Sequence, residues 1–420
     1  PPYTGSVPTT IEERLSRGVS VFDFMSGAEK TDAIAGTYTI DLSVAIQAAI
    51  DSLPLVYDGT GADPLTRNGT IYFPIASYLA DTINIPAGVS FYAQNGSSVY
   101  GGGRTPVGSV IAVNNITGNG ITLTGAQVKS SSQTFQNIAF VGGPANLAVT
   151  ATAAVAGLLN CIYINEGFNL SFINCSWFNY NGGNAVDTAS GTQMIKFINC
   201  SAQWIGDGGV DGGGLRGGAN TYGNGCGGTG LLGGSNMRFE GNFVDFCSYG
   251  IRSNFENCVM IGNHTKKHVN SGLWVNNDAA ASADNSANII GNVSVGNNYY
   301  GTDPNTNGNG LLVGGDATGI VIIGNDFSDP FFTNNNKGAA NPAQCQNGIR
   351  IGNSSASGVI MGNVFEDTEG STTDGYWLFL GDYDKFQITG NRKQNGEDIL
   401  GNYWTSSDTN EHKFISGNTF

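Results

Sequence analysis

The sequence predicts an all-β chain wound as a right-handed, single-stranded parallel β-helix with a short N-terminal capping helix. Three observations carry that expectation. The first is a strand end followed by Gly-Asn, which returns at Glu240-Gly241-Asn242, Ile261-Gly262-Asn263, Ile290-Gly291-Asn292, Ile323-Gly324-Asn325, Met361-Gly362-Asn363, Thr389-Gly390-Asn391 and Ser416-Gly417-Asn418. Two Phe-Ile-Asn-Cys variants precede it at 172–175 and 197–200, and the steps between successive Asn residues are uneven: 25, 43, 21, 29, 33, 38, 28 and 27. Strands that recur while their spacers stretch describe a solenoid with loops inserted on its coils. The second is an interleaved ladder, Gly250-Ile251-Arg252, Gly272-Leu273-Trp274-Val275, Gly310-Leu311-Leu312-Val313, Gly348-Ile349-Arg350-Ile351 and Gly375-Tyr376-Trp377-Leu378. Each coil therefore has at least two short strands, apolar at alternate positions and bounded by turn residues. The third is composition: with 63 Gly in 420 residues and 12% charged residues, a large core is reached only by a repetitive all-β route.

Residues 1–55 form an N-terminal segment with the capping helix, and 56–420 the β-helix with its loop insertions. Gly18-Val19-Ser20-Val21-Phe22-Asp23-Phe24 leads to a helix over 41–53, in which Leu42, Ile46, Ile50 and Leu53 share one face behind Asp41 or Ser43 as cap. Short strands follow at 69–74, 78–79, 82–86 and 88–90. In the later coils the recurring Asn is expected to take left-handed backbone geometry and to hydrogen-bond its equivalents above and below.

The segment 18–100 resembles the opening of the pectate-lyase-like superfamily as found in bacteriophage tailspikes and capsule depolymerases, and the rest of the chain resembles it through its repeat. The usual Gly-Asp-Gly and Asp-Asp-Thr ahead of the helix are missing between Met25 and Asp41. The resemblance implies a homotrimeric spike on the phage tail, attached to the virion through a part N-terminal to this sequence. It would act outside the cell on host capsule, exopolysaccharide or O-antigen. The chain begins at Pro1 rather than Met and ends within a repeat at Phe420, as expected of a piece of a longer protein.

A net charge of −15 argues against nucleic acid and anionic membrane surfaces, and no apolar run reaches spanning length. Cys175 and Cys200 hold the same place in successive coils, which suits stacked small core residues better than a disulfide framework. Three His and no Cys-x-x-Cys argue against zinc, no acidic cluster stands out for calcium, and no cofactor is expected. The Asn-x-Ser/Thr sites at Asn174, Asn199, Asn263 and Asn292 fall on the Asn ladder and read as packing rather than glycosylation.

If the ladder's Ile and Leu residues and Tyr376 point inward, then Arg252, Trp274, Leu312, Arg350 and Trp377 share one solvent-facing column. Flat aromatic faces with forked guanidinium donors suit an oligosaccharide groove, although loops folded over the column would bury it. The long loops carry further candidates for substrate binding: Trp204, His268, Tyr299 and Tyr300. The acids Asp207, Asp211, Asp245, Glu366 and Asp374 are the catalytic candidates, since glycoside hydrolysis needs one carboxylic acid for the leaving oxygen and one carboxylate for water or carbon. Rungs about 4.8 Å apart place acids of adjacent coils near the roughly 5 Å of a retaining pair, and two rungs approach an inverting pair. The adjacent-coil candidates are Asp207 or Asp211 with Asp245, Asp329 with Asp367, and Asp374 with Glu397, the first preferred for its place beside Arg252 and Trp274. Two alternatives stay open. β-Elimination could use Lys266, Lys267, His268 or Arg252, and a non-catalytic receptor-binding spike would use the same aromatic groove.

Overall fold

The structure is a computed structural model that describes residues 18–57, 65–93, 108–115, 117–124, 132–148, 160–165, 167, 169–180, 184–188, 194–205, 229–233, 236–245, 247, 249–254, 257–266, 268, 271–276, 286–295, 309–314, 319–329, 347–351, 356–367, 376–380, 386–393, 403–404 and 415–416. The chain is a right-handed parallel β-helix, and each regular coil contributes one strand to each of three long parallel sheets. Among the described residues sheet 1 has 13 strands and sheets 2 and 3 have 11 each. A representative coil runs Arg238–Glu240 in sheet 1, Phe243–Asp245 in sheet 2 and Tyr249–Asn254 in sheet 3.

The sheet 2 strands correct one expectation. The candidates Asp245, Lys266, Asp329, Glu366 and Asp367 lie not on the long loops but in the strands Phe243–Asp245, His264–Lys266, Asp326–Asp329 and Val364–Asp367. Their cause is the turn at Gly-Asn: the Gly takes left-handed geometry, with φ of 63° at Gly241, 62° at Gly262 and 64° at Gly324, and bends the chain straight into the next strand. The Gly, not the ladder Asn, therefore carries the left-handed backbone in these coils. In the two Phe-Ile-Asn-Cys coils Asn174 and Asn199 occupy that position, with φ of 52° and 51°. Cys175 and Cys200 then fall where later coils have the ladder Asn, because Ile173, Ile198, Glu240 and Ile261 are in register.

The ladder Asn side chains are buried and continuous. Asn242 Nδ2 donates to Asn263 Oδ1 at 2.8 Å and Asn263 Nδ2 to Asn292 Oδ1 at 2.8 Å, and the chain continues through Asn325 and Asn363 to Asn391 at 2.9 Å per step. Each Nδ2 also reaches a sheet 1 carbonyl of the preceding coil, as Asn242 does to Phe197 O at 3.0 Å. The Cys200 thiol makes the corresponding contact to Phe172 O at 3.4 Å, and Cys175 to Phe135 O at 3.4 Å. Beside this ladder runs an aromatic stack, Phe91, Phe135, Phe172, Phe197 and Phe239, with ring centroids 5.2, 5.0, 5.1 and 5.2 Å apart. Together the stack and the ladder lock the rungs in register, so outward side chains stand on a rigid frame.

At the N-terminal end the helix Ser43–Ser52 buries Ala45, Ile46, Ala49 and Ile50, and Leu42 and Leu53 join them in the continuous core. An additional helix, Gly27–Ala35, begins at a Ser26–Glu29 capping box, in the stretch where the sequence departs from the resembled opening. No helix among the described residues is long and apolar enough to cross a membrane.

Candidate functional site

Alternation along sheet 3 places Ile251, Leu273, Leu311, Ile349 and Leu378 in the core. The residues between them form the outward column. In register it runs Tyr163 to Asp187, then Leu232, Arg252, Trp274, Leu312, Arg350 and Phe379. Arg252, Trp274, Leu312 and Arg350 thus share one face as the sequence suggests, and all four are half-buried. Trp377 is displaced from the expected column: Ile349 pairs with Leu378 and Arg350 with Phe379, so Trp377 falls at the Gly348 position. The strand Tyr376–Leu380 begins one residue after Gly375, with Tyr376 paired to Asn347, and the Gly that marked strand starts elsewhere no longer sets the phase.

The middle of this column is an aromatic and cationic stack. The Arg252 guanidinium carbon lies 4.0 Å from the Trp274 ring centroid, and the Tyr249 ring approaches the same indole at 4.7 Å with a 37° tilt. The cation–π contact fixes the guanidinium plane against the indole face. Two rungs below Arg252 stands Asp187, a residue that no sequence pattern singled out. Its Oδ1 accepts from the Thr188 amide at 2.8 Å and its Oδ2 from Asn160 Nδ2 at 3.2 Å. Burial pushes the Asp187 carboxyl above the usual carboxylate range, outweighing those hydrogen bonds and the Arg252 charge, which all favour the ionised form. The only hint in the sequence would have been its register opposite Tyr163, which requires the strand pairing.

Around the corner, on sheet 2, lies a second polar cluster. Lys266 Nζ is 3.4 Å from Asp245 Oδ2 and 4.9 Å from the Phe243 ring centroid, and Phe243 meets His264 edge-on at 5.2 Å. Asp245 is 6% exposed and thus almost covered. His264 is held below its usual value by burial and by the Lys266 charge, against the pull of Asp326. Asp245 and Arg252 belong to the same coil but to different sheets, so they flank a corner rather than share one edge.

His268 is not a groove residue. It is fully buried, and burial lowers its pKa to about 3, so it is a neutral core imidazole at pH 7. Its Nδ1 lies 3.3 Å from both the amide N and the carbonyl O of Cys247, and Gly250 makes its room, since a Cβ there would come 2.8 Å from Nε2.

Of the other candidates, Asp207, Asp211, Tyr299, Tyr300 and Asp374 lie outside the described residues. Trp204 and Glu366 are placed only by backbone, in the strands Ser201–Ile205 and Val364–Asp367. Glu366 pairs with Ser328, and Asp329 pairs with Asp367 on the adjacent rung, as the repeat suggests. The register partner of Asp245 on the preceding coil is Gln203. Asp207 and Asp211 belong to the connection 206–228, which leaves sheet 2 after Ile205 and enters sheet 3 at Thr229. The strand Thr229–Gly233 pairs between the strands that carry Asp187 and Arg252.

No family model and no curated protein sequence matches the chain. Solved structures do. The A-module of the mannuronan C-5 epimerase AlgE4 from Azotobacter vinelandii aligns with a TM-score of 0.52 at 17% identity, over 89% of this chain and 88% of that one. A mutant tailspike protein of E. coli bacteriophage HK620, in complex with a pentasaccharide, aligns with a TM-score of 0.51 at 15% identity, over 99% of this chain and 67% of that one. The DFA-IIIase of Arthrobacter chlorophenolicus A6 aligns with a TM-score of 0.50 at 12% identity, over 90% and 80%. At these identities the likeness is one of backbone path: the chain has the parallel β-helix fold that an epimerase module, a phage tailspike and a DFA-IIIase share.

Proposed function

We propose that the protein is a phage tailspike-type depolymerase, which binds a bacterial surface polysaccharide along the outward column of sheet 3 and cleaves it by endo-hydrolysis. The observation that carries this reading is the rigid Asp187, Arg252, Tyr249 and Trp274 constellation, which sets a carboxyl of raised pKa about two rungs from an aromatic and guanidinium platform. Two neighbours of the same fold lend it direction: one is a tailspike holding a pentasaccharide, the other an epimerase of mannuronan.

In this reading Trp274 and Tyr249 take sugar faces, Arg252 and Arg350 donate to hydroxyl or carboxylate groups, and Asp187 protonates the leaving glycosidic oxygen. The second carboxylate comes from Asp207 or Asp211, whose connection enters sheet 3 on the rung between Asp187 and Arg252. Asp187 replaces Asp245 as the partner of Asp207 or Asp211, because Asp245 is covered and engaged with Lys266. The same facts weigh against elimination, since His268 is buried and Lys266 is paired. The spike works as a homotrimer on the phage tail at the host surface, without a metal or cofactor.

The test is digestion of capsules and lipopolysaccharides from a panel of strains, with fragments analysed by mass spectrometry. Hydrolysis adds one water per cut. Fragments bearing a 4,5-unsaturated uronate would replace the hydrolytic reading by elimination, and binding without fragments by a receptor-binding spike.

A further inference from the structure

Sheet 1 carries a second aromatic surface, on a different face of the solenoid from the column of sheet 3. Its first four strands are Gly18–Ser20, Gly69–Phe73, Val89–Ala93 and Gln133–Gln136. Alternation along them sends Ile71, Phe73, Phe91 and Phe135 into the core. Tyr72 and Tyr92 therefore point outward, in register on adjacent rungs, with Ser20 on the rung before and Gln136 on the rung after. Beside them Thr70 pairs with Ser90, whose Oγ accepts from the Thr134 amide at 3.0 Å. The Tyr72 and Tyr92 ring centroids are 6.2 Å apart, with planes 30° from parallel. Tyr92 is 37% exposed.

This platform is rigid and uncharged. On the inner side of the same strands Phe73, Phe91 and Phe135 stack with ring centroids 4.8 and 5.2 Å apart, so the outward rings stand on a packed frame. None of the outward residues on the four strands is Asp, Glu, Lys, Arg or His. Arg67, whose backbone borders the platform at Gly88, is paired with Asp51 at 3.4 Å. The outward side chains offer phenols, hydroxyls and one amide, groups that both donate and accept hydrogen bonds.

We propose that the Tyr72 and Tyr92 platform is a second, non-catalytic glycan site, which holds uncharged sugar residues of the surface polysaccharide while another stretch of the same polymer lies along sheet 3. Three features select that occupant. The first is chemical: rings cover the C–H faces of a sugar, and groups that both donate and accept match its hydroxyls. The second is charge. The platform has no cation to hold a carboxylate or phosphate, and a chain of net charge −15 repels acidic ligands wherever cations are lacking. The third is size: three rung steps of about 4.8 Å by two residues of about 3.3 Å give roughly 100 Å², enough for a short run of sugars and far below the roughly 800 Å² per partner of a stable protein interface. Two sites on one polymer raise its effective concentration at the sheet 3 column. This inference rests on the polysaccharide-binding part of the reading above and adds a site to it.

Affinity electrophoresis tests it, in gels that contain capsules or lipopolysaccharides from a panel of strains, sorted into those with and without acidic sugars. The proteins compared are the wild type, Tyr92→Ser, the Tyr72→Ser/Tyr92→Ser double variant and Gln387→Ala, which lies outward on a distant rung of the same sheet, with circular dichroism as the folding control. The double variant should bind about tenfold more weakly than the wild type to a polysaccharide that retards it, with Tyr92→Ser between the two and Gln387→Ala unchanged. A wild type that no polysaccharide retards overturns the inference. So does a folded double variant, or a folded Tyr92→Ser, that is retarded like the wild type, and so does a Tyr dependence confined to acidic polysaccharides. A double variant whose sedimentation changes while its retardation does not would give the face to contact between copies instead. Cleavage is scored separately: Tyr-dependent binding without fragments sinks the depolymerase reading and leaves this site standing, and cleavage without Tyr-dependent binding does the reverse.

Discussion

Replacing Asn325 by Ala removes an interior member of the Asn ladder, and the structure sets the size of the effect. Asn325 Nδ2 donates to Ile289 O and to Asn363 Oδ1, both at 2.9 Å, while its Oδ1 accepts from the Asn292 amide at 2.8 Å and from Asn292 Nδ2 at 2.9 Å. Asn363 Oδ1 keeps the Asn325 amide as donor at 2.9 Å, so the substitution strands chiefly the two Asn292 donors. Both belong to a residue that is 1% exposed, where water cannot replace the lost partner. Each stranded donor costs about 1 to 3 kcal/mol, and with the small void the loss should come to about 3 to 5 kcal/mol. Urea denaturation followed by circular dichroism measures it as a shift of midpoint at unchanged slope. Gln387→Ala, exposed on the outer face of sheet 1, is the control and should stay within about 0.5 kcal/mol. A loss at Asn325 below about 1 kcal/mol, or one matched by the control, would refute the view that this ladder fixes the register of the rungs.

Asp187→Asn should lower turnover by on the order of 10² or more while leaving glycan affinity near wild type, and full activity would remove Asp187 from the mechanism. The raised pKa gives a sign as well: wild-type activity should fall as pH rises through the folded value, above the ordinary 3.8, because the acid form is then lost. By the same linkage, the stability that this carboxyl contributes is complete below 3.8 and lost as pH rises through the folded value, so the Asn variant should be at least as stable as wild type at pH 7. Trp274→Ala should weaken glycan binding by about 1 to 3 kcal/mol in calorimetry, with the loss in affinity rather than in the chemical step; unchanged affinity would place the sugar elsewhere. Gly250→Ala should be strongly destabilising in thermal unfolding, since its Cβ would come 2.3 Å from Gly272 O and 2.8 Å from the His268 ring, and an unchanged melting temperature would contradict the packing at that corner.

The solenoid is legible in the sequence because its interactions are local and repeated. Every coil must turn at the same point, so Gly-Asn recurs, and every inward position meets the same neighbour above and below, so Ile251, Leu273, Leu311 and Ile349 repeat as a set. That periodicity was enough to align Arg252, Trp274, Leu312 and Arg350. It failed where the signal is shorter than the period. Three-residue strands such as Phe243–Asp245 and His264–Lys266 show no alternation to read, and a one-residue change in where Tyr376–Leu380 starts moves Trp377 off the expected column. Burial of a single polar residue is likewise a property of the corner and not of the chain around it: His268 turns inward because Gly250, on the preceding coil, leaves the space. Asp187 joins Arg252 only through the pairing of three successive strands, and its pKa rises because neighbours from other coils exclude water. The sequence by itself thus determined the repeat, the core and the outward column of Arg252, Trp274, Leu312 and Arg350, while the carboxyl of Asp187 on the same face was decided by strand register and burial, which exist only once the coils are stacked.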